Sequence, residues 1–217
     1  MVKFKLDNKG SISQEFGGAP STNPTQYTSI GIKGHSGIDT SRGWDMPVPC
    51  DNTGFVYKIA YAEKSPSNWQ AVYQLVPDGN NFVEVCYGHL NKVYVSLNQT
   101  IDEGSYVGSE GNHGYVFSGG TEITPAMQKQ GSTLGHHLHT SYRPVKKVAE
   151  RKKRNAYYLT NVDGSVYKKD GFYYEVINTD NGYNGCVNPR NYLYKNSNEE
   201  NLGLISKILQ AIKSLKK

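Results

Sequence analysis

Cysteine is scarce in this chain: Cys50, Cys86 and Cys186 are the only three among 217 residues, and no two form a C-x-x-C pair. A cysteine-built zinc site is therefore excluded, and buried free thiols are expected. Long apolar runs are missing too. No stretch approaches the roughly 18–20 apolar residues of a membrane span. Residues 1–7 carry basic side chains with no apolar segment after them, so no signal peptide is visible. There is no H-E-x-x-H, which excludes a helix-borne glutamate acting as general base beside a metal. What the chain does have is 17 Tyr and 23 Gly, a composition that predicts β-structure with many turns. Its length suits one domain with a short appendage.

Positive charge is not spread evenly. The formal net charge is +5, yet the segment from Arg143 to Arg154 holds seven basic residues against Glu150, and four lysines with no acid follow Leu202. The rest of the chain is mildly acidic. Such basic patches attract anionic polymers in a salt-sensitive, unspecific way, and the bland reading is a solvated loop. No nucleic-acid recognition motif accompanies them, so specific nucleic-acid binding is not expected.

The histidines are the informative residues. In Gly135-His136-His137-Leu138-His139, an extended backbone puts His137 and His139 on one face and His136 on the other. His35-Ser36-Gly37-Ile38-Asp39 preserves the same parity between His35 and Asp39 if that segment is extended. Two imidazoles and a carboxylate meeting from two strands make a three-ligand zinc site with its fourth position open, the arrangement of a hydrolytic metal. A spare histidine then stands beside the open position. Spacing alone leaves open which imidazole is which.

H-x-x-x-D followed much later by H-x-H, with Tyr87-Gly88-His89 between, resembles the lysostaphin-like zinc metallopeptidases, also called M23 or LytM-type peptidoglycan endopeptidases. The likeness extends to Ile12-Ser13-Gln14-Glu15-Phe16-Gly17 at the start, to the Gly-rich residues 102–114, and to Cys186-Val187-Asn188-Pro189 with Tyr192-Leu193 at the close. The resemblance implies one Zn²⁺ per chain on His35, Asp39 and His139, and catalytic roles for His89 and His137. It also implies a mainly β fold, with an antiparallel sheet forming a groove, and peptide cross-links of bacterial peptidoglycan as substrate. His136, with the wrong parity for zinc, and His113, in a glycine loop, are expected to be bystanders.

Taken in order, residues 1–11 read as a lead-in arm, and residues 28–32 as a short strand delivering His35. Pro47-Val48-Pro49 belongs at an edge. Residues 70–76 and 82–87 flank a Pro-Asp-Gly-Asn-Asn turn as a hairpin whose second arm aims His89, on the parity of Val83, Val85 and Tyr87. Thr121 to Gly131 reads as a surface loop by the site, and 156–177 as a β-meander. The expected division is a peptidase domain over 1–195, elaborated at 143–185, then a polar linker and amphipathic helix over 196–217. That helix has apolar residues at Leu202, Ile205, Leu209, Ile212 and Leu215. It would dock on its own domain or on a partner chain, a second copy included, with a membrane surface as the third alternative.

Three functions are compatible with this pattern. The first is a zinc endopeptidase acting on the cell wall, reaching it on a phage particle or by release on lysis. The second is a non-catalytic wall-binding module. The third is a structural tail-tip component anchored through 202–217. Retention of all five residues of the motif set favours the first.

Overall fold

The computed structural model describes residues 2–6, 9–18, 27–28, 31–65, 67–152 and 157–192; the expected linker and helix at 196–217 lie outside them. The elements are β1 (Ser11–Gln14), β2 (Ile38–Ser41), β3 (Pro47–Pro49), β4 (Gly54–Ala60), β5 (Ala71–Asp78), β6 (Asn81–Gly88) and β7 (Leu90–Val93). After them come β8 (Thr100–Ile101), β9 (Tyr106–Glu110), β10 (Val116–Ser118), β11 (Thr121–Ile123), α1 (Pro125–Lys129), β12 (Leu138–Val148), β13 (Lys168–Lys169) and β14 (Phe172–Val176). The fold is mainly antiparallel β, as expected.

The main sheet runs β1-β2-β12-β6-β5-β4-β8, with β14 added along the far half of β12 and β13 beyond it. A second sheet, β3-β9-β7, puts the Pro47–Pro49 strand at an edge, where a residue without an N–H costs nothing. The β5–β6 hairpin closes more tightly than the sequence suggests. Asp78 and Asn81 are paired, leaving Gly79 and Asn80 as a two-residue turn with Gly79 at φ +60°.

β12 organises the molecule. Along it Leu138, Thr140 and Tyr142 are buried while His139, Ser141 and Arg143 are half-exposed, the period-2 alternation of a strand with two different faces. The buried face joins Val83, Val85 and Tyr87 of β6, Val72 and Val76 of β5, and Val48, Leu90 and Val107 of the second sheet in one core. The opposite face is a groove near His139. Further along it is covered, where Val145 packs with Tyr57, Leu75, Leu159, Tyr167, Tyr174 and Val176. Four of those residues come from 157–177, so this meander closes over one end of the sheet.

The lead-in residues are clasped rather than free. Val2 and Phe4 are buried, Phe4 N donates to Tyr192 O at 2.7 Å, and Tyr142 Oη donates to Lys3 O at 2.6 Å. Lys9 Nζ lies 3.2 Å from Asp51 Oδ2 with both side chains fully buried. Removing one partner of such a pair costs about 3–5 kcal/mol, because the other charge is left without water or counter-ion.

Two local expectations are corrected. Of residues 28–32 the described part is turn, not strand; His35 is instead held by paired bonds, Gly17 N to His35 O at 2.8 Å and His35 N to Gly18 O at 3.0 Å. Residues 121–131 are not an open loop but β11 followed by α1, capped by the Thr124 side chain accepting from Met127 N.

Candidate active site

Asp39 and His139 are direct partners across β2 and β12, and Gly88 stands opposite His139 on β6. Cross-strand partners point to the same face, which places the carboxylate against the imidazole. His35 arrives by a bend rather than a strand: β2 begins only at Ile38, and Ser36-Gly37 turn the chain so that the ring folds back over the strand. Gly37 is obligatory there. A Cβ on it would lie 2.6 Å from His139 Cε1 and 2.5 Å from Thr140 O.

The three donor atoms form a nearly equilateral triangle. His35 Nε2 is 2.9 Å from His139 Nδ1 and 3.0 Å from Asp39 Oδ1, and His139 Nδ1 is 2.9 Å from Asp39 Oδ1. His35 Nδ1 faces the Glu15 carbonyl at 3.1 Å, so it must carry the proton and donate, leaving Nε2 a lone pair. His139, whose pKa burial lowers in spite of its hydrogen bond with Asp39, is neutral near pH 7. At most one proton is then available to three acceptor atoms. A cation satisfies all three. A tetrahedral zinc with bonds of about 2.0–2.1 Å would space such donors by roughly 3.3 Å, a few tenths of an ångström wider than they stand. The donor set therefore fits zinc. Burial works to raise the Asp39 pKa, but the neighbouring His137 and His35, and hydrogen bonds from His139 and His35, carry it well below the usual carboxylate range.

His89 and His137 flank this triangle. Their rings are 4.3 Å apart, and His137 Nε2 is 3.5 Å from Asp39 Oδ2. Each is oriented by a carbonyl: His89 Nδ1–H donates to His113 O at 2.9 Å and His137 Nδ1–H to Gly135 O at 2.7 Å. Nε2 is thereby left as the proton-accepting atom of each ring, that of His137 facing Asp39 Oδ2. Burial, then the nearby His137, push the His89 pKa well below the usual imidazole value. Strand parity does not deliver His89 as expected. Tyr87 faces the core, whereas His89 sits at φ +60°, and this left-handed residue at the end of β6 turns its ring to the groove.

The carbonyl that orients His89 is itself braced. Gln128 Nε2 donates to Asn112 O at 2.6 Å and Gly114 O at 2.8 Å, on either side of His113. Trp69, for which the sequence gives no signal, packs its indole 4.6 Å from the His89 ring and donates Nε1–H to Tyr73 Oη at 3.0 Å. Gly88 and Gly114 make room for it, since a Cβ on either would lie 2.3 Å and 2.7 Å from indole carbons. His136 points away from the triangle, its Nδ1 2.7 Å from Glu110 Oε1, a carboxylate only 2% exposed. His113 accepts from Asn68 Nδ2 at 3.1 Å through its ring. Neither joins the triangle, but both serve as supports rather than as bystanders. The four motif histidines and Asp39 thus converge on one groove of about 1000 Å³.

No protein-family model matches this chain, and no curated protein does. Among solved structures it aligns with the catalytic domain of the antimicrobial peptidase lysostaphin from Staphylococcus simulans at 18% identity and TM-score 0.44, over 64% of this chain and 83% of that one. LytU aligns at 21% identity and TM-score 0.44, over 66% and 81%. A variant catalytic domain of the prophage-encoded M23 protein EnpA from Enterococcus faecalis aligns at 16% identity and TM-score 0.40, over 61% and 79%. The chain is similar to M23 peptidases. At identities of 16–21% the chemistry has to come from the side chains themselves.

Proposed function

We propose that this chain is a zinc-dependent endopeptidase that hydrolyses peptide cross-links of bacterial peptidoglycan. The supporting observation is the triangle of proton-poor donors, with edges of 2.9–3.0 Å, set beside two imidazoles whose Nδ1 atoms are held by carbonyls. The substrate class is supported by the H-x-x-x-D and H-x-H resemblance and its matching ends.

His35 Nε2, Asp39 Oδ1 and His139 Nδ1 would hold the metal. Bound zinc supplies Lewis acidity, polarising a peptide carbonyl and acidifying water to a pKa near 7. His89 and His137 divide the proton transfers. One Nε2 accepts the proton of the attacking water, and the other ring donates to the developing oxyanion or the leaving amine. Their carbonyl-held Nδ1–H groups put each ring in the tautomer that accepts at Nε2, so the ring that donates does so as an imidazolium, with a second proton on Nε2. Trp69 and the walls of the groove limit water around the pair.

Delivery on a phage particle or through lysis belongs to the same proposal, as does a domain over 1–195 followed by a partner-binding segment at 202–217. The test is release of soluble fragments from purified walls by the zinc-loaded chain, with and without chelator, followed by mass spectrometry of the fragments. Chelator-sensitive release with new amino termini supports the proposal. A chain that holds zinc, binds walls and releases nothing is a wall-binding module instead.

A further inference from the structure

The groove does not end at the histidines. His139, Ser141 and Arg143 of β12 and Glu84 and Cys86 of β6 continue its floor, and Tyr73, Tyr183 and Cys186 stand along its sides. Past Arg143 the floor disappears. Val145 is fully buried, Ile177 N donates to Pro144 O at 2.9 Å, and Val145 pairs with Val176, so the meander lies across the sheet there. A peptide arm laid along the floor meets a closed end beside Arg143.

That end is charged. Arg143 Nε and Nη2 both donate to Glu84 Oε2 at 2.5 Å, and Tyr57 Oη donates to Glu84 Oε1 at 3.0 Å. Glu84 is thus buried and satisfied, while the Arg143 side chain keeps 28% exposure. Among the described residues nothing accepts from Nη1. Lys58, with its ammonium 4.8 Å over the Tyr73 ring, adds a second positive charge close to Glu84. The groove's other carboxylate, Asp39, is at the opposite end among the histidines. Two cations against one carboxylate leave this end positive. A guanidinium held by one edge and free on another is the geometry that receives a carboxylate.

We propose that Arg143 is a specificity-determining residue that binds a carboxylate at the end of one peptide arm of the substrate, with Glu84 and Tyr57 as positioning residues. The inference deepens the endopeptidase reading and rests on it. At about 3.3 Å per residue, the four-residue step from His139 to Arg143 spans roughly 13 Å. The carboxylate would therefore lie three or four residues from the bond that is cut.

The experiment compares two synthetic wall peptides, identical except that one arm ends in a carboxylate and the other in a carboxamide. Binding to the zinc-loaded full chain is followed by calorimetry and cleavage by mass spectrometry. The wild-type chain is expected to bind the acid about 10- to 100-fold more tightly, the range of hydrogen bonds to a charged group. The double variant Glu84→Gln with Arg143→Gln keeps an amide pair without charge; it should retain zinc and lose the preference. Equal binding of acid and amide by the wild type overturns the proposal, and that comparison stands even if the variant does not fold. A preference that survives in a folded double variant overturns it too. Acid-selective binding with no cleavage would refute the endopeptidase reading alone; cleavage with no preference would refute only the subsite.

Discussion

On the proposed function, single residues would carry the metal. Asp39 and His139 each contribute a donor from the centre of the sheet, so His139→Ala or Asp39→Ala should yield a folded chain that emerges from gel filtration without zinc. His89 touches no donor of the triangle through a hydrogen bond; its Nδ1 is spent on His113 O. His89→Ala should therefore keep stoichiometric zinc in metal analysis while losing roughly 10²–10⁴ in turnover, the usual weight of an acid–base group. All five motif residues could be picked out from H-x-x-x-D, H-x-H and Tyr-x-His, and for His137 and His139 spacing within a strand translates directly into a face. Trp69, Glu110 and the Arg143–Glu84 pair could not. Their partners lie far away in numbering, 26 residues for Glu110 and His136 and 59 for Arg143 and Glu84, and no local pattern encodes such a meeting.

Whole elements position these residues by close approach. Gly37 offers no ligand, yet Gly37→Ala should lower zinc affinity as a ligand change does, since a Cβ would press on His139 Cε1 and Thr140 O. Equilibrium dialysis against a competing chelator would measure it. The bend at Ser36-Gly37 and the left-handed His89 are also where strand parity misleads: alternation presumes continuous extended backbone, and both positions break it. Edge prolines, the β5–β6 hairpin and the alternation of β12 were legible because their physics is local. On the second sheet, hydrogen bonds from Lys92, then Ser109 and Asn91, hold the Asp45 carboxyl down to about 2. A depressed carboxylate stabilises the fold above its unfolded value and loses that contribution as pH falls towards the folded one. Acid titration of stability should thus be shallower between about pH 4 and pH 2 in Asp45→Asn than in the wild type, as followed by circular dichroism.

At the scale of the molecule, two sheets share one core and the groove lies on the face that core leaves free. Because the three candidate ligands come from β2 and β12 and from the bend before β2, metal binding would favour only the assembled sheet. Zinc at about 1000 times its dissociation constant would add roughly 4 kcal/mol, so stripping the metal should lower the melting temperature by several degrees, and adding it back should restore it. The overall β class was readable from Tyr, Gly and turn content. The covering of one sheet end by the 157–177 meander was not, since a run of short strands does not say which face it will land on.

His139 is paired on one side with Asp39 and on the other with Gly88, and that double registry has a kinetic corollary. A slip of either neighbour by a single position would turn the carboxylate to the far side or bring a bulkier residue against the ring. Capture of zinc during refolding would then mark the moment when three non-sequential strands have locked together, so a metal-sensitive dye in a stopped-flow cell becomes a clock for the last step of assembly.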